Sequence, residues 1–242
     1  MMPDILSYAR ETTLGQIAAE DMNKALVLKK FGLDFCCGGK RTLAEACAAK
    51  NLDPEAVVEA LEYALPAAAS TPLRYREWPP AFLADFIVQT HHAYVRRTLP
   101  ELVAYATKVA RVHGDRHPEL LNILQHVRDI DAEMTAHMYK EEQILFPYIK
   151  SLDSGKDPAF VPFGSVQAPI SMMEMEHEQA GGLMASIRSL SADYTPPEGA
   201  CGSYRLLFQL LEGFEQDLHT HVHLENNILF PGALALEQSR RS

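Results

Sequence analysis

Two stretches of this 242-residue chain match in fixed register, HMYKEEQILFP from His137 and HVHLENNILFP from His221. Both read H-x3-E-x2-I-L-F-P, and His137 with His221, like Glu141 with Glu225, are separated by 84 residues. A shared offset of this kind indicates a duplicated helix pair. Each copy also has a histidine at a similar distance upstream, His92 lying 45 residues before His137 and His177 lying 44 before His221. Each half therefore supplies one His and then one His-x3-Glu.

Residues four apart share a helix face, so each His-x3-Glu points both side chains the same way. That face is the core face. On the second long helix Ile130, Met134, His137, Glu141, Ile144 and Tyr148 form an apolar seam interrupted by the polar pair. On the fourth, Leu211, Phe214, Leu218, His221, Glu225 and Ile228 do the same. The third agrees through Ile170, Met173, His177, Ala180, Met184 and Ile187, with Gly181 and Gly182 expected to allow close approach of a neighbour. His92 continues a seam through Val88, Val95 and Leu99, whereas the adjacent His91 does not. Counting residues from the interhelix turns at ~1.5 Å each puts His92 and His137 at one depth, and His177 and His221 likewise.

Four imidazoles and two carboxylates buried in one layer are too costly to leave uncompensated. A metal pair resolves this. A set of N and O donors without thiolate favours iron, manganese or zinc, and two carboxylates can bridge two ions that each take two imidazoles. The candidate ligands are His92, His137, Glu141, His177, His221 and Glu225, which leaves room for a solvent bridge or a small ligand such as O2 or NO. Glu142 is set aside because Asn226 stands at its repeat position. His219 and His223 flank His221 on other faces, and His113, His117 and His126 match no partner.

No stretch alternates with period two, so the chain is expected to be all-α: an up-down-up-down four-helix bundle preceded by a small helical domain. The expected bundle helices run over about 81–112, 119–152, 169–192 and 203–237, with Pro100 kinking or interrupting the first. Before them, helices are expected over 14–30, 42–50 and 54–65, the last with Asp53 as N-cap and Pro54 at its first position. The stretch PAAASTPLRYREWPP cannot continue a helix. The division is thus residues 1–66 as a small helical domain, 67–80 as a proline-rich linker and 81–242 as the bundle.

A net charge of -10, from 22 Lys+Arg against 32 Asp+Glu, argues against nucleic acid or an anionic membrane surface as partner. No apolar run approaches the ~20 residues of a membrane span. The N-terminus reads as no secretory signal, so the cytoplasm is the expected location. Adjacent Cys36 and Cys37 are unsuited to an ordinary disulfide and are read as thiols.

The paired histidines and His-x3-Glu elements of residues 80–238 resemble the hemerythrin-like domains. Together with FGLDFCCGGKRTLAEA near the N-terminus and MEMEHEQAG in the third helix, they are similar to the repair-of-iron-centres family. That resemblance implies two iron ions in a bridged centre and repair of iron–sulfur clusters damaged by oxidative or nitrosative stress. Damaged iron–sulfur proteins would be the iron acceptors. The alternatives are an O2- or NO-binding module and a di-iron NO reductase; the oligomeric state stays open, a homodimer being one option.

Cys36 and Cys37 precede Gly38, Gly39, Lys40, Arg41 and the Thr42 helix start. A helix N-terminus and two cations there are expected to lower a thiol pKa, which suits a role in redox chemistry or iron transfer; a tight turn with small packed cysteines is the alternative. Cys47 and Cys201 are expected to be packing residues.

Overall fold

The computed structural model describes residues 5–63, 73–156 and 163–241. Residues 67–72 of the expected linker and 157–162 of the crossover between the second and third bundle helices lie outside the described residues. The described residues are all-α, with one isolated bridge between Thr13 and Thr42. Packing divides the chain into two compact units, 1–83 together with 222–242, and 84–221.

In the first unit, α1 (Ile5–Glu11) is an element the periodicity did not anticipate. The expected helix over 14–30 is two helices, α2 (Leu14–Glu20) and α3 (Met22–Lys30). Asp21 separates them: its backbone is extended, and its carboxylate accepts from the Asn23 N–H, which starts the new helix. Thr42 caps α4 (Leu43–Lys50) in a reciprocal box with Glu45. Asp53 caps α5 (Pro54–Glu62), with Pro54 at its start. The turn between α3 and α4 is tied back to α2 by Gly15 N–H to Gly39 O at 2.9 Å and Leu14 N–H to Arg41 O at 2.9 Å.

The second unit holds α6 (Pro80–Ile87) from Ala84 onward, α7 (Ala93–His113), α8 (Glu119–Lys140), α9 (Phe146–Asp153), α10 (Gln167–Leu190) and most of α11 (Gly202–Leu224). The final helix, α12 (Phe230–Arg241), belongs to the first. Within the second unit, side-chain pairs close a ring of four helices. His92, just ahead of α7, meets Glu142, just beyond α8; His137 of α8 meets Glu176 of α10; Arg188 of α10 meets Glu215 of α11; and Tyr94 of α7 stacks on Phe214 of α11.

Three long helices each contain one widened π turn, at Val88–His92, Glu141–Leu145 and Glu225–Leu229. Ala93, Phe146 and Phe230 each donate their N–H to the carbonyl five residues back, at Val88, Glu141 and Glu225. For the second and third the cause is legible in I-L-F-P: Pro147 and Pro231 have no N–H and their rings would strike the carbonyl four residues earlier, so the helix widens just before them. Pro100, by contrast, sits inside an uninterrupted α7. The change in helical pattern expected at Pro100 lies instead at Val88–His92.

Each π turn also moves the buried face along by one residue. Ile144 is 40% exposed and Leu145 only 1%, so Leu145 takes the core place expected for Ile144. Ile228 is half-buried while Leu229 is buried, and Val88 is half-buried while Ile87 is buried. α10 has no π turn, and its six expected positions from Ile170 to Ile187 are all buried. Gly182 faces open space, so it does not mediate the close approach expected of it.

Candidate metal centre

In the second unit the helices bring five of the six expected ligands inward, and all five are buried. Glu141 Oε2 lies 3.3 Å from Nε2 of both His92 and His137. His177 Nε2 lies 3.0 Å from His137 Nε2. The His221 ring lies 5.0 Å from that of His92 and 6.4 Å from that of His177. His92, Glu141 and His221 thus offer one ligand atom each within 4.8 Å of one another, and so do His137, Glu141 and His177. Glu141 belongs to both groups.

Glu225 follows His221 by one turn of a continuous helical run and is fully buried. It opens the third π turn as Glu141 opens the second. The repeat is therefore kept in backbone geometry as well as in sequence.

The outward nitrogens of two rings are held by carboxylates. His92 Nδ1 donates to Glu142 Oε1 at 2.6 Å, and His137 Nδ1 donates to Glu176 Oε2 at 2.8 Å. A carboxylate only accepts, so Nδ1 of each ring carries a proton and Nε2 is the nitrogen turned inward. Those inward nitrogens lie 3.3 Å from a carboxylate oxygen and, for His137, 3.0 Å from the Nε2 of another ring. Buried imidazole nitrogens and a carboxylate converging at such distances are the donor types a cation takes, so the donor set fits metal ions.

Each outer carboxylate carries a cation as well, Arg96 on Glu142 at 2.5 Å and Lys140 on Glu176. Burial pushes the Glu142 carboxyl up, but the His92 and Arg96 hydrogen bonds outweigh it and leave it below its ordinary range. Glu176 is held down to about 2, chiefly by the His137 hydrogen bond and with help from Lys140 against burial.

His91, the alternative to His92, turns elsewhere. Its Nδ1 donates to Asp217 Oδ1 at 2.9 Å, and its ring stacks on His221 at 5.6 Å and 10°. The repeat sets Glu142 aside because Asn226 stands at its place, and a repeat marks what both copies share, not a partner present in one copy alone. Arg96, one turn after His92, and Lys140, beside Glu141, were the available signals that this face carries paired charges.

In the first unit the Cys36–Cys37 turn has its own polar setting. Asp34 Oδ1 accepts the N–H groups of Cys36 at 3.1 Å and Cys37 at 3.0 Å, and Asp34 Oδ2 that of Gly38 at 3.1 Å. The two sulfurs are 4.0 Å apart and no disulfide joins them. The Cys36 thiol is pushed well up rather than down: the Cys37 hydrogen bond, burial and the Asp34 carboxylate all favour its neutral form. A nearby helix start does not overcome a carboxylate in contact. His223 is fully buried; Phe35 meets its ring edge-on at 5.4 Å, and burial, aided by the charge of Arg76, lowers its pKa to about 4. Cys47 is buried as expected, whereas Cys201 is exposed with its sulfur 3.3 Å from His113 Nε2.

A family model described as the hemerythrin HHE cation binding domain matches residues 84–233. A second, described as a domain of unknown function (DUF542), matches residues 10–65. The protein is 39% identical over 231 residues to the iron–sulfur cluster repair protein YtfE of Escherichia coli O157:H7, spanning 94% of this chain and 99% of the relative. The relatives of the same name in Citrobacter koseri and Shigella boydii are 39% and 38% identical over the same coverage. The chain belongs to this family of hemerythrin-type repair proteins. The cation-binding domain covers the helices that carry all six expected ligands. No helix among the described residues is long and apolar enough to cross a membrane.

Proposed function

We propose that this protein repairs iron–sulfur clusters damaged by oxidative or nitrosative stress, by supplying iron from a dinuclear centre. The observation that carries this reading is the convergence of inward Nε2 atoms and the Glu141 carboxylate in a buried layer. His92, His137, Glu141, His177, His221 and Glu225 would hold two iron ions, with Glu141 and, by the repeat, Glu225 as the bridging carboxylates. Bound iron would supply the cargo and the affinity for small ligands such as NO and O2. Glu142 and Glu176 keep the His92 and His137 rings turned inward. The names of the relatives support cluster repair, and damaged iron–sulfur proteins are then the partners.

The thiols of residues 1–66 would assist transfer, and four cysteines joined by no disulfide suit a reducing cytoplasm. Two measurements test the proposal. Protein purified with iron available should carry two iron atoms per chain; fewer overturns the dinuclear centre. Iron-loaded protein added to an enzyme with a damaged cluster should restore its activity beyond what free iron achieves; equal recovery with free iron overturns repair.

A further inference from the structure

We infer that Asp34, Cys36 and Cys37 form a second metal site, taking one divalent, thiol-seeking cation through two thiolates and a carboxylate oxygen. The three residues offer one ligand atom each within 4.8 Å of one another. Their sulfurs are 4.0 Å apart, close to the ~3.8 Å separation of two thiolates bound at ~2.3 Å around a tetrahedral ion. On Asp34, Oδ1 accepts the Cys36 and Cys37 N–H groups and the Cys36 thiol, whereas Oδ2 accepts the Gly38 N–H and keeps a second acceptor position for an ion. Sulfur donors distinguish this set from the imidazole and carboxylate layer in the bundle, so ligation by thiolate reports on this site alone.

The turn is held in shape before any ion arrives. Its backbone is pinned by the three N–H bonds to Asp34, and from outside by Asn226 Nδ2 to Cys36 O at 3.1 Å and Asn227 Nδ2 to Phe35 O at 3.0 Å. Gly39 cannot carry a side chain, because a Cβ would come within 2.6 Å of both Asn227 Oδ1 and Phe35 O. Cys36 is buried, Cys37 half-exposed and Asp34 exposed, so the site is backed by protein and open on one side. An ion held by three protein donors with an open fourth position can be exchanged, which a closed four-ligand site resists. Binding is not a redox step: each thiol gives its proton to solvent as its sulfur takes up the metal, and the ion keeps its charge.

Both pinning asparagines directly follow Glu225. The second site is therefore fixed to the same short segment that bears a proposed bundle ligand. This part rests on the iron-supply reading: the site's cargo in the cell is iron(II), handed on to the acceptor.

The test uses the full chain with its bundle already loaded with iron, titrated anaerobically with Co2+ alone. Thiolate-to-cobalt charge-transfer absorption reports sulfur ligation, which imidazole and carboxylate cannot produce. The expected result is a band saturating at one equivalent. It should be lost in Cys36→Ser and in Cys37→Ser, weakened at least tenfold in Asp34→Asn, and unchanged in Cys201→Ser. Asn keeps an oxygen for the Cys36 and Cys37 N–H groups, so that variant tests the charge without removing the turn. No band in the unaltered chain, or a band that survives Cys37→Ser or vanishes in Cys201→Ser, overturns the site. If the band is present but the iron-loaded protein restores no damaged cluster, the iron-supply reading fails and the site stands.

Discussion

Glu142 accepts a hydrogen bond from His92 at 2.6 Å across two helices, although its neighbour Glu141 is the residue that points into the centre. Two successive glutamates thus serve one imidazole from opposite ends, one at Nε2 and one at Nδ1. Removing such an outer partner costs about 10–100-fold in metal affinity. Glu142→Gln should lower affinity by that factor while leaving the number of bound ions at saturation unchanged. Competition with a calibrated chelator measures it, and an unaltered affinity would show that His92 needs no orienting carboxylate.

Stripping the metal should lower the melting temperature. An ion present at about 100 times its dissociation constant stabilises the folded state by ~2.7 kcal/mol, and a chain of this size shifts by about 2–4 °C per kcal/mol. A difference of about 5–10 °C between loaded and chelated protein is expected by calorimetry. His177→Ala should shrink that difference, since it removes a donor from one of the two groups.

Acid should act on the metal-free protein through Glu176. Its folded pKa of about 2 lies below the ordinary 4.5, so its contribution is complete above pH 4.5 and is lost as pH falls toward 2. Chemical denaturation at a series of pH values should show metal-free protein losing stability across that window. Glu176→Gln should flatten the loss there. A loss of unchanged steepness in the variant would assign the acid sensitivity elsewhere.

Two glycine substitutions should have opposite signs. In Gly39→Ala the new methyl meets Asn227 and the Phe35 carbonyl, and overpacking of this sort costs about 1–3 kcal/mol. In Gly182→Ala the methyl enters open space on a helix, which gains ~0.5–1 kcal/mol. Thermal melts of the two variants against the unaltered chain provide the check.

The comparison of α10 with its neighbours shows where the sequence was readable. Its six expected core positions are all buried because a regular 3.6-residue period holds from end to end. On the other long helices the expected ligand positions are buried, since each lies within an α-helical stretch or at one end of a π turn. The residues beyond them, Ile144 and Ile228, were misplaced by one position because a widened turn breaks the period. The proline of I-L-F-P carries that information, as the cause of the widening and not only as a letter of the repeat. The thiol turn departs from expectation for another reason: Asp34, a carboxylate in contact, governs Cys36 more strongly than two cations nearby in sequence.

The widened turns have a consequence for how this protein can change. The two that open on Glu141 and Glu225 act as phase shifters: the stretch before each is wound to aim a histidine inward, and the stretch beyond is wound, one residue later, to aim leucine and phenylalanine into the packing. Deleting a single residue between Glu141 and Leu145, or between Glu225 and Leu229, would return the helix to its ordinary pitch and rotate everything downstream by about 100°. Such a deletion would touch no donor atom, yet it would set the two ends of one helix against each other. Length in these two five-residue segments is therefore constrained as tightly as the identity of the glutamates that begin them.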